Sequence, residues 1–367
     1  MIRVHHRMII IAGGFIVIAF ALFYLLQSYG TVSDSPQKPL IGFSLQGKFA
    51  SQGWNHRNYE GIEEAAKRAG LLLESREGVL AGSREASQMI GAMERSGKKV
   101  LFLASADYTA DMQAARQLGS KLIFAIPALE QVPDAQCIPY FVRLYQAEYL
   151  AGTLAGLRTK SGLVGYVASQ PMPETVRGIN AFTLGVRQSN PAARVLVFWV
   201  GSWDDANQER YAAERLIAVG ADVLNSHQDQ TNVQRVASAH DIDYFAYQDP
   251  LEDSSGHNIA TVVCDWSVVY GRILQDFQQG RMQPRYWMGL PEKAVDLADF
   301  SPLVTEPQRQ RLTEVKHSIN SGHTIFSGEI RDRQGVLRCA ADESISDNTL
   351  VTMDWFVEGV DFYEEKY

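Results

Sequence analysis

Short apolar runs of strand length alternate with amphipathic helical stretches along most of this chain, and the runs end on polar or aromatic groups. Leu40 to Leu45, Lys99 to Ala104, Lys121 to Ile126, Leu163 to Ala168, Arg194 to Val200, Asp222 to Asn225 and Ile242 to Ala246 are such runs. Between them, Tyr59, Ile62, Ala66 and Ala69 share one helical face, as do Ala213, Leu216, Ile217 and Gly220. Units of about 25–30 residues leave room for right-handed crossovers, so the strands are expected to be mostly parallel. Ten or more strands overfill one doubly wound sheet, and 367 residues suffice for two lobes. The expected architecture is α/β, with a first lobe from 40–141 and 266–295, a second from 142–265 and 296–350, and a C-terminal tail at 351–367. The chain is expected to pass between lobes near Cys137 to Arg143, Val263 to Trp266 and Ala294 to Phe300. Phe326 to Arg338 reads as a hairpin turning at Asp332 to Gly335.

The first 30 residues read differently. Arg3, His5, His6 and Arg7 precede Met8 to Leu26, a stretch without a charge. As a helix these nineteen residues would measure roughly 28 Å, close to the ~30 Å hydrocarbon core of a bilayer. Residues 1–30 are therefore expected to be a signal anchor, with a cleaved signal peptide as the alternative, since Ser28 and Gly30 are small residues spaced like a cleavage site. Either reading leaves the basic end in the cytoplasm and the globular part outside it. Residues 31–39, with Ser, Asp, Gln and two Pro, read as a linker.

The formal charge is −8, and it is more negative still once the basic N-terminal end is set aside. That balance excludes nucleic acid or anionic lipid as the main partner of the globular part, because both demand a basic surface. Cys137, Cys264 and Cys339 lie far apart and form no C-x-x-C, so neither a zinc site nor a redox dithiol is expected. The chain has no phosphate-binding G-x-x-x-x-G-K-[ST], no H-E-x-x-H and no G-x-S-x-G. No cofactor and no catalysis are expected, a nucleoside hydrolase being the weaker reading that the many carboxylates leave open.

In open parallel sheets a ligand sits outside the carboxyl ends of the strands, so the groups at those ends are the candidate site. They are Gly53-Trp54-Asn55 with Asp107 in the first half, and Trp203-Asp204-Asp205, His227-Gln228-Asp229, Tyr247-Gln248-Asp249 and Asp265-Trp266 in the second. Two rings from opposite lobes would sandwich a flat heterocycle, with carboxylates and an amide at its polar rim. No Arg or Lys stands at these ends, which argues against an anionic ligand. Each residue also has a plainer role: core packing for Trp54, Trp203 and Trp266, helix capping for Asp204 or Asp205, a structural hydrogen bond for His227, and a turn for Asp249 ahead of Pro250.

Glu148-Tyr-Leu-Ala-Gly, Gly165-Tyr-Val, Gly178-Ile-Asn-Ala-Phe182, Gly201-Ser-Trp-Asp-Asp and Gly220-Ala-Asp-Val, in this order, resemble the basic membrane protein family of ABC-importer substrate-binding proteins, which includes purine nucleoside receptors. Gly53-Trp-Asn, His227-Gln-Asp, Asp265-Trp-Ser-Val-Val-Tyr270, Tyr286-Trp-Met-Gly289 and Met353-Asp-Trp-Phe-Val-Glu-Gly359 resemble its tryptophan-bearing proteobacterial branch. The resemblance covers about Leu40 to Val360 and implies a type I periplasmic-binding fold: two Rossmann-like lobes, a hinge of three crossovers and a closing cleft. It implies a small-molecule ligand, a purine nucleoside or nucleobase, with permease and ATPase subunits as partners. It also implies ligand contacts from Trp54 and Trp203 as stacking rings, from Asn55, and from Asp249 near sugar hydroxyls, with Asp107 as a further polar contact. Asp229 and Trp266 complete the expected set. The chain departs from nucleoside receptors at Cys264-Asp265, where they place a lysine, and around Leu45 to Gly47, where an early aspartate is missing. Nucleoside and free base both stay open. No cysteine follows the apolar segment, so lipid anchoring is not expected and tethering at the periplasmic face would rest on the helix itself. A membrane-tethered sensor that signals to a partner protein is the second reading.

Overall fold

The computed structural model describes residues 40–364 except 52, 132 and 250–254. The expected anchor and linker lie outside the described residues, among which no helix is long and apolar enough to cross a membrane.

The first sheet has the strand order β2-β1-β3-β4-β5-β11, with β1 at Ile41–Ser44, β2 at Leu73–Arg76, β3 at Val100–Leu103, β4 at Ile123–Ile126, β5 at Cys137–Val142 and β11 at Tyr286–Met288. Every neighbouring pair in it is parallel. The second sheet runs β15-β7-β6-β8-β9-β10-β12, with β6 at Leu163–Ala168, β7 at Arg194–Trp199, β8 at Val223–His227, β9 at Asp243–Tyr247, β10 at Asn258–Cys264, β12 at Val295–Ala298 and β15 at Val360–Phe362. Only β12 pairs antiparallel. A separate hairpin, β13 at Ile330–Arg331 and β14 at Leu337–Cys339, turns where the sequence places it.

The continuous apolar character of these strands follows from burial on both faces. In β3, Val100 and Phe102 belong to one core cluster while Leu101 and Leu103 belong to another. In β8, Val223 and Leu224 divide in the same way. Helices supply the second layer of each core. Helix α1 (Trp54–Ala69) follows β1 and buries Ile62, Ala65 and Ala66, and α2 (Arg84–Arg95) buries Ala86, Met89, Ile90 and Met93 behind a Ser83 cap. Helix α3 (Thr109–Gln117) follows β3.

The chain passes between the two sheets three times: from β5 into α4 (Leu144–Arg158), from β10 into α8 (Trp266–Gln278), and from β11 to β12. Helix α4 packs against α5 (Pro173–Ser189) at backbone contact, since a Cβ on Gly152 would lie 2.0 Å from the Phe182 carbonyl oxygen and one on Gly185 2.3 Å from that of Tyr149. Near the first crossing, Arg143 grips Asp347 with two hydrogen bonds of 2.8 and 2.6 Å and lies 4.2 Å from the Trp287 ring centroid. The three cysteines are buried and free.

Glu148 on α4 is fully buried beneath β6 and β8, with one oxygen accepting from Asn225 Nδ2 at 2.7 Å and Oε1 lacking a partner among the described residues. Burial raises its pKa from 4.5 to about 8, against the opposing pull of Asn225 and the Tyr166 hydroxyl. The folded state therefore keeps this proton while the unfolded chain releases it, so the group's contribution is full below pH 4.5 and declines as pH rises towards 8. Glu148→Gln should match the parent protein near pH 4.5 and unfold about 2–4 °C higher at pH 8. Circular dichroism melts at the two pH values check this, and a lower melting point for the variant at pH 8 would contradict it.

Candidate ligand-binding cleft

Strand order reverses between β1 and β3 in the first sheet and between β6 and β8 in the second. Such switch points leave a crevice at the carboxyl ends of the strands. Both crevices open into one cavity of about 600 Å³, lined from the first sheet by Gln46, Trp54, Asn55, Asp107 and Phe141, and from the second by Glu174, Trp203, His227, Asp229 and Tyr247, among others.

On the first side the indole of Trp54 is fixed from three directions. Its Nε1 donates to the Ala104 carbonyl at the end of β3, 2.9 Å away. Phe141 lies nearly parallel to it, with centroids 5.9 Å apart and 22° between planes, and Trp266 meets it edge-on at 5.0 Å. With its N–H already used, the ring offers the cavity an apolar face. Gln46 bridges the ends of β1 and β3, donating to Asp107 Oδ2 at 2.7 Å and to Ser105 Oγ at 3.2 Å while accepting from Ala81 N at 2.9 Å.

On the second side Trp203 meets His227 edge-on at 5.4 Å, and His227 meets Tyr247 at 4.9 Å. The Trp203 carbonyl accepts from Asp229 N at 2.9 Å. The Gln228 amide, oriented to satisfy its neighbours, donates to the carbonyls of Ser202 (3.0 Å) and Trp203 (3.1 Å) and accepts from Ser169 N. These bonds hold the loop after β7, while Asp205 caps α6 (Ala206–Ala218) by accepting from Asn207 N and Gln208 N.

Among the described residues no Lys or Arg lines the cavity, whereas Asp107, Glu174, Asp204 and Asp229 do. Asp107 is engaged by Gln46 and Ser105, and Asp204 accepts from Ser202 Oγ at 3.3 Å. Burial, reinforced by Asp204 and Glu209, raises the pKa of Asp229 to about 7. Burial likewise raises Glu174 to about 7, with Arg177 opposing and Glu130 and Asp229 reinforcing. Burial alone lowers His227 to about 4, so its ring is neutral at pH 7. The cavity thus combines aromatic faces with carboxyl groups that seek donors, and it disfavours an anion. Among the described residues no group of three His, Cys, Asp or Glu side chains could hold a metal ion.

Of the residues expected at the ligand, Trp54, Asn55, Asp107, Trp203 and Asp229 share this wall. Asp249 and Trp266 do not. The Asp249 carboxylate accepts from Gly53 N at 2.9 Å and pairs with Arg57 at 2.6 Å, which ties the end of β9 to the start of α1 across the two halves. Gly53, at φ 74°, also lets the end of β8 come close, for a Cβ there would stand 3.0 Å from the Asp229 carbonyl oxygen. Trp266 is 1% exposed among Tyr140, Phe141 and Tyr270 and backs Trp54. Residue-type reasoning missed Phe141, which sits in a strand disguised by Pro139, and Glu174, which reads as an ordinary first-turn acid of α5. A smaller cavity of about 340 Å³ beside β7 and β15 is lined by arginines already engaged: Arg187 by Glu358, Arg194 by Asp361, Arg333 by the Phe362 ring.

The chain is similar to known proteins over most of its length. The model of the family described as "ABC transporter substrate-binding protein PnrA-like" matches residues 38–327. A "Purine-binding protein" of Brucella abortus is 29% identical over 90% of this chain and 95% of its own length. Among solved structures, an ABC transporter solute-binding protein from Conexibacter woesei superposes with a TM-score of 0.62 at 20% identity, over 77% of this chain and 96% of its own. A transcriptional activator of the comK gene from Bacillus halodurans gives a TM-score of 0.68 at 18% identity, over 77% and 99%. These likenesses show the two-lobed fold of periplasmic binding proteins. The chain belongs to the PnrA-like family of ABC transporter substrate-binding proteins, which bind a small molecule outside the cytoplasm and do not transform it.

Proposed function

We propose that the protein captures a purine, as base or nucleoside, between Trp54 and Trp203 and delivers it by lobe closure to a permease with its ATPase, from the periplasmic face of the membrane. The observation that carries this reading is that two tryptophans following strands of different sheets line one cavity, which has no cationic side chain among the described residues. Its volume of about 600 Å³ lies within the range of roughly 300–1,000 Å³ usual for small-molecule sites. A flat, neutral, nitrogen-rich ring satisfies both features at once: its faces meet indoles and its N–H groups meet Asn55, Asp107 and Asp229. The purine-binding relative supports the same ligand class.

Closure needs contacts that exist only when the lobes meet, because a ligand shifts an open–closed equilibrium by no more than its differential affinity. The bridge from Asp249 to Gly53 N and Arg57 is such a contact. Asp249 therefore acts in this reading as a clasp, and Trp266 as a rigid backing for Trp54.

Two measurements test the mechanism. Trp203→Ala should cost about 2 kcal/mol of purine affinity, roughly thirty-fold in Kd by calorimetry, with the melting temperature little changed. An unchanged Kd would refute the sandwich. Asp249→Ala should weaken binding by about 1 kcal/mol, roughly five-fold, through faster dissociation seen by stopped-flow fluorescence. Unaltered dissociation would show that the clasp has no part in closure.

A further inference from the structure

Glu174 and Asp229 stand apart from Asp107 and Asp204, the other acids of the cavity, which are engaged by neighbouring side chains. Glu174 differs from Asp229 in facing an imidazole, that of His227, across a short gap. Glu174 lines the cavity with a quarter of its side-chain surface open, and its nearest ionic neighbour, His227 Nε2, is 3.8 Å away, beyond hydrogen-bond reach. His227 itself is buried with Nδ1 unpartnered among the described residues. The wall beside Trp203 therefore holds a carboxyl group and an imidazole that both lack a hydrogen-bond partner among the described residues and border the same space.

We propose that Glu174 selects among purines by pairing edge-on with the amino and ring-nitrogen edge of a 6-aminopurine. This rests on the purine reading of the cleft. A protonated carboxyl presents one donor and one acceptor side by side, the complement of an edge with one ring acceptor and one amino donor. An ionised carboxylate presents two acceptors, the complement of the N1–H and 2-amino donors of a 2-amino-6-oxopurine. The charge state of Glu174 thus decides which edge fits. The groups acting on it are Arg177 on its own helix, Glu130 after β4, His227 and Asp229 at the end of β8, and Tyr247 and Cys264 at the ends of β9 and β10. Burial and the acids favour the protonated form, with a pKa near 7 that Arg177 keeps from rising further.

The test is fluorescence titration of the whole protein with adenine and with guanine at pH 6 and pH 8.5. Adenine affinity should fall about ten-fold between the two pH values while guanine affinity does not fall. Glu174→Gln, whose amide keeps a donor and an acceptor but cannot ionise, should bind adenine within about three-fold of the parent and lose the pH dependence. Asp229→Asn should retain it. A pH dependence that survives Glu174→Gln, or that vanishes with Asp229→Asn, overturns the assignment to Glu174. Failure of the parent protein to bind either purine at both pH values overturns the purine reading together with it.

Discussion

Parallel strands put every loop of one polarity at the same edge of a sheet, and in this protein two such edges face each other. That constraint determines the rest. Gln46, Trp54 and Asp107 come from the ends of β1 and β3, Glu174 from beyond β6, and Trp203, His227 and Asp229 from the ends of β7 and β8, yet all border one cavity. The chain passes between the sheets three times, and the principal core cluster includes residues of both halves, among them Phe43 and Tyr166.

Within the cleft, stiffness and polarity are divided between layers. The aromatic layer is immobilised from behind: Trp54 by Ala104, Phe141 and Trp266, and Trp203 by His227, itself set against Tyr247. A ring held in place before binding loses little side-chain entropy when a ligand stacks on it. The polar layer is selective because Asp107 and Asp204 are already engaged while Glu174 and Asp229 are not. What stays free among the acids seeks donors, and neutral His227 adds no positive charge. An anion would meet carboxyl groups in a poorly solvated space, an arrangement that low local dielectric makes costly.

Much of this was legible in the residue order because strands buried on both faces write themselves as unbroken apolar runs. Leu163 to Ala168 is β6 to the residue, and the runs at Arg194 and Ile242 match β7 and β9 to within a residue or so. The elements that escaped were those whose surroundings hide their character. β2 reads Leu-Glu-Ser-Arg because it is an edge strand and only partly covered. β5 contains Pro139 and looks like a break, but β11 pairs only with Tyr140 to Val142, so on that side Pro139 needs no donor. The tryptophans could be placed at the site because they follow strands. The destinations of Asp249 and Trp266 could not, since a neighbouring Arg57 and a cage of Tyr140, Phe141 and Tyr270 decide them, and those partners are distant in sequence. Glu174 was hidden for the opposite reason: an acid in the first turn of a helix is ordinary, and only the cavity makes it otherwise.

What the cavity accepts decides the function. Isothermal titration of the parent protein against adenine, adenosine and D-glucose tests that directly. A purine-selective cleft predicts saturable, exothermic binding of at least one of the two purines and no heat from glucose; binding of glucose with silence from both purines would contradict it.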